Sequence, residues 1–456
     1  MCRNKLHWLL VLFVLLVAWP GRAANTNSII WNTAADNVTA DVHGEPLWPL
    51  LEDIARQTGW HIFVEPDAAR NVDVKFSDLT SGEALKKLLG DLNYAFVPKT
   101  NEASQLYVFL TRRENATRMV TAAPTKQKHV LNQLLVKVKP GTDIEALAKS
   151  VGAKIEWRDD KQGIYLLQFK DEAGMEAAMS LLKDNPNVEA VGYNYIYDPP
   201  PNPKSIVSPT ASLDSLADLK LDPNAASDPC HPIVALLDTQ VQPLDSQLSQ
   251  FVMDSISVVG DTGPANSSGI THGTAMLKTM LEAASQQSRT IGFKVLPVQV
   301  FDSSDQSTTS TLMAGMMAAY EHGATVFNMS LGGTEDSPIF DSFVRQLLAK
   351  GVVVFAAAGN QPVSSPTFPA AIRGVNAVTA LGAPGKLASY ANFGNFVEMA
   401  LPGASVVYQN GQAYVVQGTS PATAYATGVA AGYKGVNCDT WGQIQGMMEQ
   451  RFPVPR

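Results

Sequence analysis

The spacing of apolar side chains changes several times along the chain, and each change marks a boundary. Trp8 to Trp19 is an unbroken apolar run of 12 residues behind Arg3 and Lys5, and Gly21-Arg22-Ala23 follows it. A positive start, a short apolar stretch and small residues at a cleavage spacing read as a secretory signal peptide over residues 1–24. The run is too short for a bilayer span, which takes about 20 residues. From residue 27 to about 115 the rhythm switches between helical and alternating. Leu47, Leu50, Leu51, Ile54 and Ala55 fall on one face of a helix between Pro46 and Gly59. His61–Val64 and Asn71–Phe76 read as strands, and Ser81–Gly90 as a second helix. Tyr94–Val97 and Gln105–Leu110 read as a closing hairpin. The expected order is strand, helix, two strands, helix, two strands.

Residues 128–198 form a second unit. Leu131–Gly141 is a strand ending in a Pro-Gly turn, Asp143–Val151 a helix, Lys154–Arg158 and Gly163–Lys170 paired strands, Gly174–Lys183 a helix and Val188–Tyr197 a last strand. This is the split βαβ plan, a common small fold that by itself says nothing of activity. Residues 199–228 open with Pro-Pro-Pro-Asn-Pro at 199–203 and read as an exposed linker. Residues 229–450 are the largest unit. Ile233–Leu237, Lys294–Val300, Thr325–Leu331 and Val352–Gly359 are short apolar runs buried on both faces, with helical stretches at Thr274–Ala284, Thr311–His322 and Asp341–Lys350 between them. Strands that alternate with helices predict a parallel sheet covered on both sides. The fold class is therefore α/β, a parallel-sheet domain preceded by two small α+β units.

Composition narrows the function. With 45% hydrophobic and 17% charged residues the chain is neither disordered nor collagen-like. Its 34 basic and 42 acidic residues give a net charge of −8, which excludes a global attraction to nucleic acid. No later run matches the first in length, so no membrane span is expected after the signal is removed. Of three cysteines, Cys2 leaves with the signal; Cys230 and Cys438 bracket the last unit and either pair, tying its ends together, or remain as two buried thiols.

In a parallel α/β sheet, reactive groups collect where strands end and helices begin. Asp238 ends the strand IVALLD, His272 opens a helix in THGTA, Ser420 opens another in GTSPATAYATG, and Asn360 ends VVVFAAAGN. Each alone is an ordinary cap or turn residue. Together, in the order Asp…His…Ser, they match one chain order of a Ser-His-Asp triad, and no G-x-S-x-G elbow is present.

These blocks resemble the subtilisin-like serine proteases. The resemblance covers residues 229–440 and rests on IVALLDTQV, HGT, VFNMSLGG, AAAGN, FPAAIRGVNAV and GTSPATAYATGVAAG in family order. It implies that Ser420 attacks a peptide carbonyl, His272 takes its proton, Asp238 holds the imidazole, and Asn360 with the Ser420 N–H binds the oxyanion. It further implies that Ser330, Leu331, Gly332 and Gly333 pair with extended substrate, while Ala357 and Gly359 wall a specificity pocket for a large apolar residue. Residues 128–198 resemble a subtilase propeptide, which implies a folding chaperone, inhibition and self-cleavage between about Tyr193 and Asp228; the alternative is a retained, uncleaved accessory domain. Residues 27–115 resemble the short N-terminal domain of secretins and TonB-dependent receptors, which implies an envelope protein partner and a periplasmic or extracellular location in a Gram-negative host. The family often binds calcium, but no acidic cluster here places it; Asp302 and Asp305 read as solvated loop residues, and no cofactor is expected. Gln240 after Asp-Thr, Ala275 after HGT and Pro421 after the serine depart from the family pattern. They leave open a catalytically weak or inactive peptide-binding or signalling protein, and a third reading is another acyl-transfer enzyme on the same triad.

Overall fold

The structure is a computed structural model that describes residues 28–455 except 34, 66, 67, 69, 100–102, 121–127, 207–215, 217, 261–268, 383 and 384. The signal peptide expected over residues 1–24 lies outside the described residues.

The N-terminal unit runs β1 (Ser28–Asn32), β2 (Asn37–Pro46), α1 (Leu47–Thr58), β3 (His61–Val64), β4 (Asn71–Leu79), α2 (Ser81–Leu89), β5 (Asn93–Val97), β6 (Gln105–Phe109) and β7 (Arg118–Val120). Helix α1 buries the expected stripe and stops at Gly59, whose φ of 70° only glycine adopts at little cost. Helix α2 starts at a capping box between Thr80 and Glu83. Two strands, not one, precede α1. Ile29, Trp31, Val38, Ala40 and Val42 alternate inward along them, and β4 pairs with β2 rather than with its sequence neighbour β3. Two sheets, β1-β2-β4 and β5-β6-β3-β7, thus enclose one core with the helices.

The second unit is β8 (His129–Val138), α3 (Ile144–Ser150), β9 (Lys154–Asp159), β10 (Ile164–Gln168), α4 (Glu172–Lys183) and β11 (Val188–Tyr197), with sheet order β11-β8-β10-β9. Its apolar residues divide between two faces. Leu134, Val136, Tyr165 and Leu167 pack on α3 and α4. Leu135, Ile164, Leu166, Tyr195 and Tyr197 join the core of the large domain instead. This sheet is therefore apolar on both sides because it is sandwiched between its own helices and those of the next unit.

The expected linker carries two short strands, β12 (Lys204–Ile206) and β13 (Lys220–Leu221), and buries Leu216 and Leu219. The large domain follows as β14 (Ile233–Asp238), α5 (Ser246–Ser249), β15 (Ile256–Ser257), α6 (His272–Ser285), β16 (Thr290–Ile291), β17 (Lys294–Gln299), β18 (Ser307–Thr308), α7 (Thr309–Glu321), β19 (Ala324–Met329), α8 (Pro338–Ala349), β20 (Val353–Ala357), β21 (Asn376–Leu381), β22 (Met399–Pro402), β23 (Ala404–Gln409), β24 (Gln412–Gln417), α9 (Thr419–Asn437) and α10 (Trp441–Arg451). Seven strands form a sheet in the order β15-β17-β14-β19-β20-β21-β22, paired parallel throughout. The edge strands β15 and β22, of two and four residues, are too short to show a pattern, but β14, β17, β19 and β20 lie where the apolar runs predicted them. Cys230 is joined to Cys438 with Cα atoms 4.6 Å apart, so the two ends of the domain are tied.

Both small units dock on the large one. Strand β11 runs antiparallel to β18, Tyr195 N donates to Thr309 Oγ1, and the buried Asn194 carboxamide accepts from Ser310 N in the first turn of α7. From the N-terminal unit, Trp48 meets Phe393 edge-on at 4.8 Å between ring centroids. Beside it Glu52, 2% exposed, accepts from Ser364 N and Ser365 Oγ at 3.4 and 3.3 Å. Desolvation pushes its carboxyl up to about 7, and the hydrogen bonds from Ser364, Ser365 and Trp48 only partly offset this. A raised carboxyl means that the docked state holds its proton more tightly than the free side chain. Docking is therefore strongest below the ordinary carboxylate range and weakens as pH rises toward 7. We predict that Glu52→Gln removes this dependence and strengthens docking at pH 8 by up to about 3 kcal/mol. Protection of α1 amides in hydrogen exchange, followed from pH 5 to pH 8 in both proteins, measures it; equal pH profiles would contradict the assignment.

Candidate active site

Strand β14 lies inside the sheet, third of the seven strands, where successive connections diverge to β17 on one side and β19 on the other. Such a divergence leaves a crevice beyond the carboxyl ends of the strands. Asp238 is the last residue of β14 and points its carboxylate there. The carboxylate accepts from Thr239 N at 2.7 Å, from Thr239 Oγ1 at 3.2 Å, and stands against His272 Nδ1 with both oxygens, at 2.9 and 3.0 Å. Thr239 Oγ1 in turn accepts from Gly273 N, so the strand end holds the first turn of α6 directly. Gly273 is obligatory in this contact: a Cβ there would stand 2.3 Å from Thr239 O.

Helix α6 packs on α9, and two glycines set the distance. A Cβ on Gly428 would lie 2.1 Å from Met280 O, and one on Gly432 would lie 3.1 Å from Ala284 Cα. Both contacts relate residues 148 positions apart, so the helices run parallel in one register. The same offset relates Ser420 to His272, two turns earlier, at the first turns of the two helices. Close packing of small residues thus aligns the first turns of α6 and α9, which carry His272 and Ser420, although they are far apart in the chain.

The Ser420 hydroxyl donates to Ser330 O at 3.1 Å, and Ser330 Oγ donates to Ser420 O at 3.1 Å. His272 Nε2 is buried and has no hydrogen-bond partner. The structure therefore joins Asp238 to His272 and places Ser420 on the adjacent helix end, with its hydroxyl turned to the Ser330 carbonyl. Asp238, His272 and Ser420 are only 1%, 1% and 5% exposed, so a substrate reaches them only after whatever lies over them has moved.

Asn360 follows β20. Its Oδ1 accepts from Thr419 N at 2.8 Å and from Thr419 Oγ1 at 3.1 Å, and Thr419 Oγ1 also accepts from Gly359 N. The amide is so oriented by the start of α9 that Nδ2 is its outward donor. Ser420 N belongs to the first turn of α9, whose N–H groups have no partner inside the helix and mark its positive end. Asn392, wholly buried, clamps this loop: its N donates to Gly359 O, and its Oδ1 accepts from Gln361 N and Val363 N. Neither the clamp nor the Gly428 contact was expected from sequence. An Asn in an ordinary loop and a Gly inside a helix carry no distinguishing pattern.

The segment expected to pair with substrate divides. Ser330 and Leu331 are buried, Gly332 is exposed, and Gly333 exchanges both backbone hydrogen bonds with Phe368. Gly332 borders Ala357, since a Cβ there would come 3.7 Å from Ala357 O. The open backbone is therefore at Gly332, with Ala357 and Gly359 on the facing strand end. Among the described residues no group of three or more His, Cys, Asp or Glu side chains converges on a metal site. Asp302 Oδ1 accepts from Ser304 N and Gln306 N, which holds its own loop closed. Among the described residues no helix is long and apolar enough to cross a membrane.

Comparison with known proteins accords with this geometry. The profile of the subtilase family matches residues 231–450, and that of the fervidolysin N-terminal prodomain matches residues 115–194. Thermitase of Thermoactinomyces vulgaris is 30% identical over 204 residues, covering 43% of this chain and 72% of thermitase. A thermophilic serine proteinase of Bacillus sp. (strain AK1) is 27% identical over 326 residues, covering 68% of this chain and 80% of that protein. Among solved structures, fervidolysin from Fervidobacterium pennivorans superposes with a TM-score of 0.57 at 20% identity, over 72% of this chain and 58% of that one. The chain belongs to the subtilase family. It is a subtilisin-like serine endopeptidase that carries its own prodomain.

A substitution at the helix contact tests how the site is held. We predict that Gly428→Val forces α6 from α9 and destabilises the large domain by about 1–3 kcal/mol, the usual penalty of overpacking. Chemical denaturation measures the loss; an unchanged midpoint would show that the close approach does not set the register.

Proposed function

We propose that the chain hydrolyses peptide bonds of a protein or peptide substrate with Asp238, His272 and Ser420. The observation that carries this reading is the Asp238 carboxylate gripping His272 Nδ1 with both oxygens while Nε2 stays without a partner. A serine hydroxyl is a poor nucleophile until a base takes its proton. Rotation of Ser420 from the Ser330 carbonyl toward Nε2 supplies that base. His272 then protonates the departing amine, and Asp238 stabilises the imidazolium. Asn360 Nδ2 and Ser420 N hold the oxyanion, Gly332 pairs with extended substrate, and the wall at Ala357 and Gly359 admits a large apolar residue.

The chain is further proposed to be exported by its N-terminal signal and held inactive by residues 128–198, which stay seated on α7 and α8 until processing. Residues 27–115 serve as a docking module for an envelope protein; Ile30, Phe96 and Leu110 are its exposed large apolar side chains. A second reading, a peptide-binding subtilase fold with little turnover, is favoured by one observation, the Ser420 hydroxyl bound to Ser330 O. Fluorophosphonate labelling decides between them. The first reading requires labelling that Ser420→Ala abolishes, and Asn360→Ala should lower kcat by about 10²–10³-fold with KM little changed. A protein that neither labels nor cleaves peptides after removal of residues 128–198 would establish the second.

A further inference from the structure

The stretch between the prodomain and the large domain is anchored on both sides of the proposed catalytic serine. On one side Tyr197 pairs with Ser307 and Ile196 with Thr308 in β18. Strand β18 extends the prodomain sheet and follows β17 in the chain, and the last residue of β17, Gln299, pairs with Asp238. On the other side Lys204, Ser205 and Ile206 pair antiparallel with Val415, Tyr414 and Ala413 of β24, which leads directly into Ser420. Continuing that register two residues back sets Asn202 opposite Gln417, three residues before Ser420. The chain must therefore cross from the Asp238 side of the crevice to the Ser420 side within residues 198–203. At about 3.3 Å per residue these six reach roughly 20 Å, enough to cross but with little slack. Their sequence is Asp-Pro-Pro-Pro-Asn-Pro.

We propose that Asp198–Pro203 is an uncleavable strap, a substrate-like segment that occupies the groove and that this enzyme does not cut. The inference rests on the hydrolytic reading above and departs from self-cleavage in one respect: processing, where it occurs, falls outside the strap. The two anchors leave Asp198–Pro203 to span the crevice, and four of the five bonds inside it end on a prolyl nitrogen, Pro201–Asn202 being the exception. Cleavage there needs Ser420 Oγ to bond the carbonyl carbon, the carbon–nitrogen bond to break, and His272 to give its proton to the departing nitrogen. In proline the ring Cδ stands where a secondary amide carries hydrogen, so it obstructs the imidazole at that nitrogen. The ring also locks φ near −65° and removes the donor with which extended substrate pairs to a strand edge. Consecutive prolines stiffen the segment, so little conformational entropy opposes its seating. Pro199, Pro200 and Pro203 are half-buried, while Asp198, Pro201 and Asn202 face outward.

The full chain without its signal is the material for the test. It is compared with Pro199→Ala/Pro200→Leu/Pro201→Ala, each also carried with Ser420→Ala. Intact mass and N-terminal sequencing locate cuts, fluorophosphonate labelling reports access, and circular dichroism of the Ser420→Ala forms reports folding. We expect the wild type to remain uncut between Tyr197 and Lys204, and the triple variant to cut itself there, in a Ser420-dependent way, with several-fold stronger labelling. If the triple variant misfolds, Pro201→Ala alone carries the same expectation. Wild-type cleavage within residues 198–203, or a folded variant that stays uncut while labelling and hydrolysing an added peptide as wild type does, overturns the strap. Absence of labelling and of peptide hydrolysis in every form, including one whose strap trypsin has opened after Lys204, overturns the hydrolytic reading itself.

Discussion

The parallel contact of α6 with α9 is the constraint on which the site depends. His272 and Ser420 lie on helices separated by most of the large domain in sequence, and no direct bond joins them. The alignment of the two helix starts follows from Gly428 against Met280 O, where even a methyl group does not fit, and from the tight contact of Gly432 with Ala284. The sheet supplies the third member independently: β14 ends at the crevice, and Thr239 ties its end to Gly273 of α6. Two rigid alignments, helix on helix and strand end on helix start, therefore fix where β14 ends and where α6 and α9 begin, with buried backbone contacts carrying the precision.

The prodomain is bound into the same framework. Leu135, Ile164 and Leu166 belong to one core with Phe340 and Val344 of α8, and Asn194 satisfies an N–H at the start of α7 that would otherwise have no acceptor. Removing the prodomain exposes this apolar surface and an unpaired helix end, so the large domain is more costly to fold alone. The same strand that covers α7 continues toward the crevice, which links assistance of folding to occupation of the site.

What could be read from the sequence follows from what each level of structure requires. Central strands buried on both faces need continuous apolar runs, so Ile233–Leu237 and Val352–Gly359 were legible. Thr271 caps α6 and Pro421 suits the first turn of α9, so His272 and Ser420 stood at recognisable places. Domain docking needs only one or two side chains from an otherwise ordinary helix face. Glu52 and Trp48 on α1 gave no sign that they would seat against Ser364 and Phe393. Residues 199–228 read as linker because prolines and small polar residues lack a period. Three-residue β12 and two-residue β13 are too short to show one, and their pairing is dictated by partners far away in the chain.

The departures from the family pattern bear on access more than on chemistry. Gln240 keeps a negative φ where the family has glycine, and its carbonyl accepts from Thr271 Oγ1, so it supports the cap of α6 without displacing Asp238. Ala275 is fully buried one turn into α6, where it lines the core and not the crevice. Pro421 is the third residue of α9, where its missing N–H would have had no partner in the helix, and α9 runs unbroken through it to Asn437. None of the three moves Asp238, His272 or Asn360 from the positions their hydrogen bonds impose. The Ser420 hydroxyl donates to Ser330 O and Ser330 Oγ donates back to Ser420 O, so this reciprocal pair fixes the start of α9 against the segment that follows β19.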